Sequence, residues 1–161
     1  MRKVYLETSV IGYLAARPSR TILGAAHQEI TLAWWDLRHR YDVVISEAVA
    51  RECEAGDPEA AARRLTVVAQ LPMLRINERC IALAQGWIGN GILPTKAAED
   101  ALHIAIATLH GVDYLLTWNC RHIANPEIQR GLSVDLDRKN LFLPFICTPE
   151  ELLGGDDDDV E

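Results

Sequence analysis

Short apolar runs alternate along this chain with longer stretches in which apolar residues recur every three or four positions. The short runs, residues 4–6, 42–45, 73–76, 113–116 and 141–147, predict strands. Between them, Ile30, Ala33, Trp34 and Leu37 share one face of a helix that ends before Tyr41, and Ile81, Ala84 and Ile88 share a face of another. Asp57-Pro58 predicts a helix start, because proline at the first helical position lacks only an N–H that would be unpaired anyway. Asn77 and Thr95 are placed to cap the next two helices, the second stopping at Gly111. Thr148-Pro149-Glu150-Glu151 is a capping box that opens a short terminal helix. Strands alternating with helices imply an α/β fold, a parallel sheet covered by its crossover helices.

The helix predicted from Thr95 to Gly111 contains a conflict. From 97 to 109 it is apolar nearly all round, which requires burial between other elements. Within it lie Glu99, Asp100 and His103. A carboxylate in such a helix must find a partner, a metal ion or an opening to water, so Asp100 is a candidate site residue. Glu99 points about a quarter-turn away and reads as a flanking group. His103, one turn on, could hydrogen-bond Asp100; a satisfied core histidine is the plainer reading.

Three further positions stand at strand ends or on sheet-facing surfaces. Glu7 directly follows the first strand, and ligands of open α/β sheets bind outside the carboxyl ends of strands. The plainer reading is a solvated acid or a helix-start residue beside Ser9. In the helix after the second strand, Glu47, Arg51 and Glu54 share one face, while Val49, Glu52 and Cys53 share the face toward the sheet. Glu52 is thus an acid on an apolar side, open to ion pairing as well as to chemistry. Asn119 ends the fourth strand run, where turn chemistry is the alternative. Three carboxylates and an amide oxygen suit a hard cation such as Mg²⁺ or Mn²⁺ rather than zinc. Such an ion can activate water and stabilise charge as a phosphodiester is cleaved.

Composition adjusts this picture. A length of 161 residues with 49% apolar content fits one domain, taken as 1–153, with an acidic, disordered tail at 154–161. The net charge of −7 is unfavourable for a polyanionic partner, but five of the acids (Asp156, Asp157, Asp158, Asp159 and Glu161) lie in that tail. Without them the body carries −2 and neither demands nor forbids RNA. No apolar run approaches the ~20 residues of a membrane span, and no signal-peptide pattern precedes the first strand, so a cytoplasmic location is expected. Cys53, Cys80, Cys120 and Cys147 form no C-x-x-C pair and read as mostly buried, reduced thiols. No P-loop, G-x-G-x-x-G or nucleophile elbow occurs, which argues against nucleotide-binding enzymes and serine or cysteine hydrolases. Arg17, Arg20, Arg38 and Arg40 could track phosphates or be scattered surface charges. Trp35 lies off the main apolar stripe of its helix, as a partner surface or packed by a neighbouring element.

Four segments, in order, resemble the motifs of the PIN-domain family: Leu6-Glu7-Thr8-Ser9-Val10, Ile45-Ser46 running to Glu52, Glu99-Asp100-Ala101-Leu102-His103-Ile104-Ala105 and Leu116-Thr117-Trp118-Asn119. Within that family the chain is most similar to VapC-type toxins of bacterial toxin–antitoxin pairs. The resemblance implies a three-layer α/β/α fold with the first strand central. It also implies a Mg²⁺- or Mn²⁺-dependent endoribonuclease, usually a homodimer, held inactive by a small antitoxin protein. Glu7, Glu52, Asp100 and Asn119 would be the catalytic and metal-binding set, supported by Thr8, Ser9, Glu99, His103 and Thr117. Two positions depart from the family pattern, which has Asp where this chain has Glu7 and Asn119. The extra methylene of Glu7 displaces its carboxylate by about 1.5 Å. Asn119 removes one negative charge, which weakens hard-cation binding.

Overall fold

The computed structural model describes residues 1–154; the segment read as an acidic tail lies, apart from Gly154, outside the described residues. Five strands, β1 (Lys3–Leu6), β2 (Asp42–Ser46), β3 (Met73–Leu74), β4 (Tyr114–Leu116) and β5 (Phe145–Cys147), form one sheet in the order β3-β2-β1-β4-β5. Every pairing is parallel, with Tyr5 opposite Val44 on one side and Leu115 on the other. β1 is central, and Val4, Tyr5 and Leu6 expose no surface. Both edge strands are shorter than their apolar runs predict. Pro144 has no N–H to give the ladder, and β5 begins after it.

Eight helices connect and cover the strands of the described residues: α1 (Thr8–Ala15), α2 (Ile22–Asp36), α3 (Glu47–Glu54), α4 (Pro58–Val68), α5 (Glu78–Gly89), α6 (Ala98–Leu109), α7 (Pro126–Arg138) and α8 (Pro149–Leu153). From β1 to β3 the chain moves one way across the sheet, and from β3 to β5 it moves back past β1. Right-handed crossovers therefore place α1 to α4 on one face and α5 to α7 on the other, giving three layers. The packing agrees: α1 lies against α2 and α4, α3 against α4, and α5 against α6.

Local chemistry sets the helix starts. Asp57 accepts from Ala60 N–H at 2.9 Å, Asn77 from Cys80 N–H at 3.0 Å, and Thr148 with Glu151 closes the capping box. Thr95 does not cap α6. It opens a 3₁₀ turn, Thr95–Ala97, and α6 starts at Ala98 without a side-chain cap. The turn after Pro94 uses the residues that a simple cap would have left free. α7 has no counterpart among the predicted elements, although Asn125-Pro126 caps it and Ile128, Leu132 and Leu136 recur every fourth residue. Among the described residues no helix is long and apolar enough to cross a membrane.

Candidate active site

In a parallel sheet all carboxyl ends lie along one edge, so Glu7 after β1, Ser46 at the end of β2 and Thr117 after β4 are neighbours there. The connections reverse direction between β1 and β4, which is the point at which such sheets open a crevice. Glu7 sits at that point, 5% exposed. It is the N-cap of α1, an uncommon role for a side chain this long. The extra methylene lets the carboxylate curl back: Oε2 accepts from Ser9 N–H at 3.1 Å, and Oε1 accepts from the Ser9 and Thr117 hydroxyls, both at 2.6 Å. Glu7 is therefore immobilised by α1 and by the segment after β4 together.

Glu52, on α3, keeps about a third of its side chain exposed and accepts a hydrogen bond from Nε2 of His103 on α6. His103 is the satisfied core histidine of the plainer reading, 1% exposed with both ring nitrogens partnered, and is not hydrogen-bonded to Asp100. Its Nδ1 lies 2.6 Å from the Tyr5 hydroxyl, which stands 2.7 Å from Ser46 Oγ. Ser46 Oγ in turn caps α3 by accepting from Val49 N–H. A buried chain thus runs from the α3 cap through β1 to the Glu52 carboxylate. With His103 neutral, Ser46 donates to Tyr5 and Tyr5 to Nδ1; with His103 charged, both bonds reverse and the Ser46 hydroxyl proton loses its acceptor within the chain. Burial disfavours the charged imidazole, but the Glu52 hydrogen bond and the charges of Glu7, Glu52 and Asp100 outweigh it and raise the His103 pKa. Burial likewise works against ionised Glu52, and the His103 bond and charge prevail, lowering its pKa.

Asp100 occupies the first turn of α6, where the helix dipole favours an anion. Oδ1 accepts from Asn119 Nδ2 at 3.0 Å and Oδ2 is 3.0 Å from His122 Nδ1. The orientation of Asn119 follows from its other contacts. Its Oδ1 accepts from the main-chain N–H groups of Arg121 and His122, at 3.2 and 3.1 Å, so its NH₂ must face the carboxylate. Asn119 meets the site as a hydrogen-bond donor, with its oxygen committed to the turn. Burial, aided by the Glu7 charge, raises the Asp100 pKa against the opposing pull of His122.

The structure brings Glu7, Thr8, Ser9, Glu52, Asp100, His103, Thr117 and Asn119 into this one region. Glu99 is turned out, exposed, and borders the apolar groove between α5 and α6 with Ile81, Ile88 and Leu102. Three participants, Tyr5, Ser46 and His122, were not singled out from sequence. A tyrosine in a fully buried strand needs a partner for its hydroxyl, which is a usable signal. His122 could have been found only by knowing that the chain turns back after Asn119. Among the cysteines, Cys53, Cys80 and Cys147 are buried as expected, whereas Cys120 is exposed. Two of the arginines have local roles: Arg17 pairs with Glu59, and Arg38 lies over the Trp35 ring.

The donor set matches a hard divalent cation in kind: three carboxylates on three elements, all close enough for their charges to act on His103, with Glu7 also acting on Asp100. Thr8 Oγ1 is a buried hydroxyl beside Glu52, near enough to favour the ionised carboxylate but outside good hydrogen-bond geometry with it. In position the carboxylates are turned onto protein donors. Among the described residues no group of three or more His, Cys, Asp or Glu side chains stands ready to ligate one ion.

No family model matches the chain, and no curated protein matches it. Among solved structures, VapBC2 from Rickettsia felis, bound to a DNA fragment from their promoter, superposes with a TM-score of 0.57 at 13% identity, over 91% of this chain and 98% of the matched one. The fold is PIN-like. At that identity the likeness is one of architecture: a three-layer α/β/α sandwich around a parallel sheet. The carboxyl edge of the PIN-like sheet is where Glu7 and its neighbours are gathered.

Proposed function

We propose that this chain is a divalent-cation-dependent endoribonuclease, the toxin of a toxin–antitoxin pair. What supports this reading is that Glu7, Glu52 and Asp100, from three separate elements, all lie near enough to the buried His103 for their charges to act on it. These three would hold Mg²⁺ or Mn²⁺. When bound, the ion would supply Lewis acidity toward the phosphodiester and an activated water. Ser9 and Thr117 fix Glu7, His103 keeps Glu52 ionised, and Asn119 with His122 holds both oxygens of Asp100. The Glu7 charge acts against ionised Asp100, and a divalent cation between them would relieve that repulsion. RNA is the substrate in this reading, and the chain works in the cytoplasm as a homodimer restrained by a small antitoxin.

A second reading rests on one specific observation. The Asn119 amide and His122 already compensate Asp100, which suits a PIN-fold module that binds RNA or an antitoxin with little or no catalysis. Incubating the purified protein with structured and unstructured RNA, in Mn²⁺ or in EDTA, separates the two. Cleavage in Mn²⁺ alone is expected for the enzyme. RNA that is bound yet intact in both buffers would replace the enzyme with the binding module.

A further inference from the structure

We propose that Tyr13, His27 and Trp118 form a stacking site for an unpaired nucleobase beside the carboxylates, an inference that rests on the ribonuclease reading above. Trp118 immediately precedes Asn119, and its main-chain N–H donates to Ser9 Oγ at 2.9 Å. That same hydroxyl donates to Glu7, so a single side chain joins the Trp118 main chain to the acid cluster. The His27 ring lies on the indole with centroids 4.0 Å apart and planes 13° from parallel. Tyr13 meets both rings edge-on, at 5.6 and 6.2 Å.

Each ring is held at its edge. The indole N–H donates to Thr31 Oγ1 at 2.8 Å, the Thr31 hydroxyl donates to the His27 carbonyl at 2.6 Å, and the Tyr13 hydroxyl stands 3.3 Å from His27 Nδ1. All three rings remain half-buried, whereas the aromatic and aliphatic side chains of β1 are fully covered. A pin between helices could be made by any apolar pair. Flat faces fixed before a ligand arrives and left partly open to water suit stacking, because little rotamer entropy remains to be lost. Single-stranded RNA is bound in this manner, since every base offers a π-face. The site would take a base flanking the scissile phosphate, and unpaired RNA would be preferred over duplex.

The test uses a fluorescein-labelled 2′-O-methyl oligoribonucleotide in Ca²⁺, with binding followed by anisotropy. His27→Ala should weaken binding by about tenfold, the lower range of one base–aromatic stack. His27→Phe, which keeps a flat face, should bind as wild type does, and thermal melts confirm that both variants fold. One abasic position in the oligonucleotide should reproduce the loss with wild-type protein and add nothing to His27→Ala. Equal affinity of wild type and His27→Ala, or no position at which an abasic residue matters, overturns the stacking site and leaves the ribonuclease reading standing. Wild-type protein that binds no RNA overturns both.

Discussion

Replacing Asn119 by Asp changes a single group, and the structure bounds its effect. The wild-type amide donates to Asp100 at 3.0 Å and accepts two main-chain N–H groups. Aspartate keeps the second role and reverses the first, setting two carboxylates against each other. With an effective dielectric constant of about 20, unit charges ~4 Å apart repel by about 4 kcal/mol. The pair can escape by taking up a proton, which at neutral pH costs about 4 kcal/mol for a carboxyl of ordinary pKa. The two limits coincide, and partial exposure of Asp100 (22% of its side chain) lowers both by admitting water. We therefore expect the metal-free variant to be destabilised by about 2–4 kcal/mol, a fall in Tm of roughly 5–15 °C for a chain of this size. A divalent ion would remove the penalty. Saturation at a hundredfold excess over Kd contributes about 2.7 kcal/mol, and the added charge makes Asn119→Asp reach it at lower Mn²⁺ than wild type. Thermal melts by circular dichroism in EDTA and across a Mn²⁺ titration give both quantities. A variant as stable as wild type in EDTA, with no greater gain from Mn²⁺, would refute the reasoning.

Tyr5→Phe removes the hydroxyl joining Ser46 to His103 where no water can replace it, and should cost about 1–3 kcal/mol in urea unfolding; a loss below a few tenths would show the chain to be unimportant. Asp135 accepts from Lys139 and from the indole N–H of Trp87; the Lys139 bond is the main cause of its lowered pKa, with burial opposing. A carboxyl whose folded pKa is depressed contributes stability above its unfolded value, and that contribution is lost as pH falls through the folded one. Asp135→Asn should thus flatten the acid limb of the stability profile below about pH 4, and a profile that overlays wild type's would contradict this. Burial pushes the Cys53 thiol up to about 11 and Cys147 up to about 12, and Cys80 is also buried. Only Cys120 should react with an aromatic disulfide in the native protein at neutral pH, against all four thiols in denaturant; a second native thiol reacting at a similar rate would show that one of these sites opens.

Legibility from sequence tracked how local each determinant is. The five apolar runs all became strands in a sheet with β1 at its centre, because burial on both faces leaves a nearly continuous apolar signal. Caps at Asp57, Asn77 and Thr148 were readable since cap and helix are adjacent in the chain. Thr95 misled because a 3₁₀ turn can absorb the residues before a helix. α7 escaped although its cap and its fourfold spacing were present, since Gly131 in its interior weakens the helical signal. At the site, the acids Glu7, Glu52 and Asp100 were marked by position on elements, which sequence carries. Their partners were not, because Tyr5 to His103 and Asp100 to His122 are contacts between elements that periodicity cannot register. The direction in which Asn119 presents its amide also depended on a turn formed three residues later.

The most direct test of the central claim is cleavage of a 5′-labelled RNA by wild type and by Asp100→Asn, with Mn²⁺ present and fold checked by thermal melting. Asp100→Asn keeps the size of the side chain and removes the charge that the proposed cation would share with Glu7 and Glu52. The account predicts cleavage by wild type that disappears in EDTA, and its loss by at least about a hundredfold in the variant with Tm nearly unchanged. Equal cleavage by the two proteins, or wild-type cleavage that persists in EDTA, would contradict it.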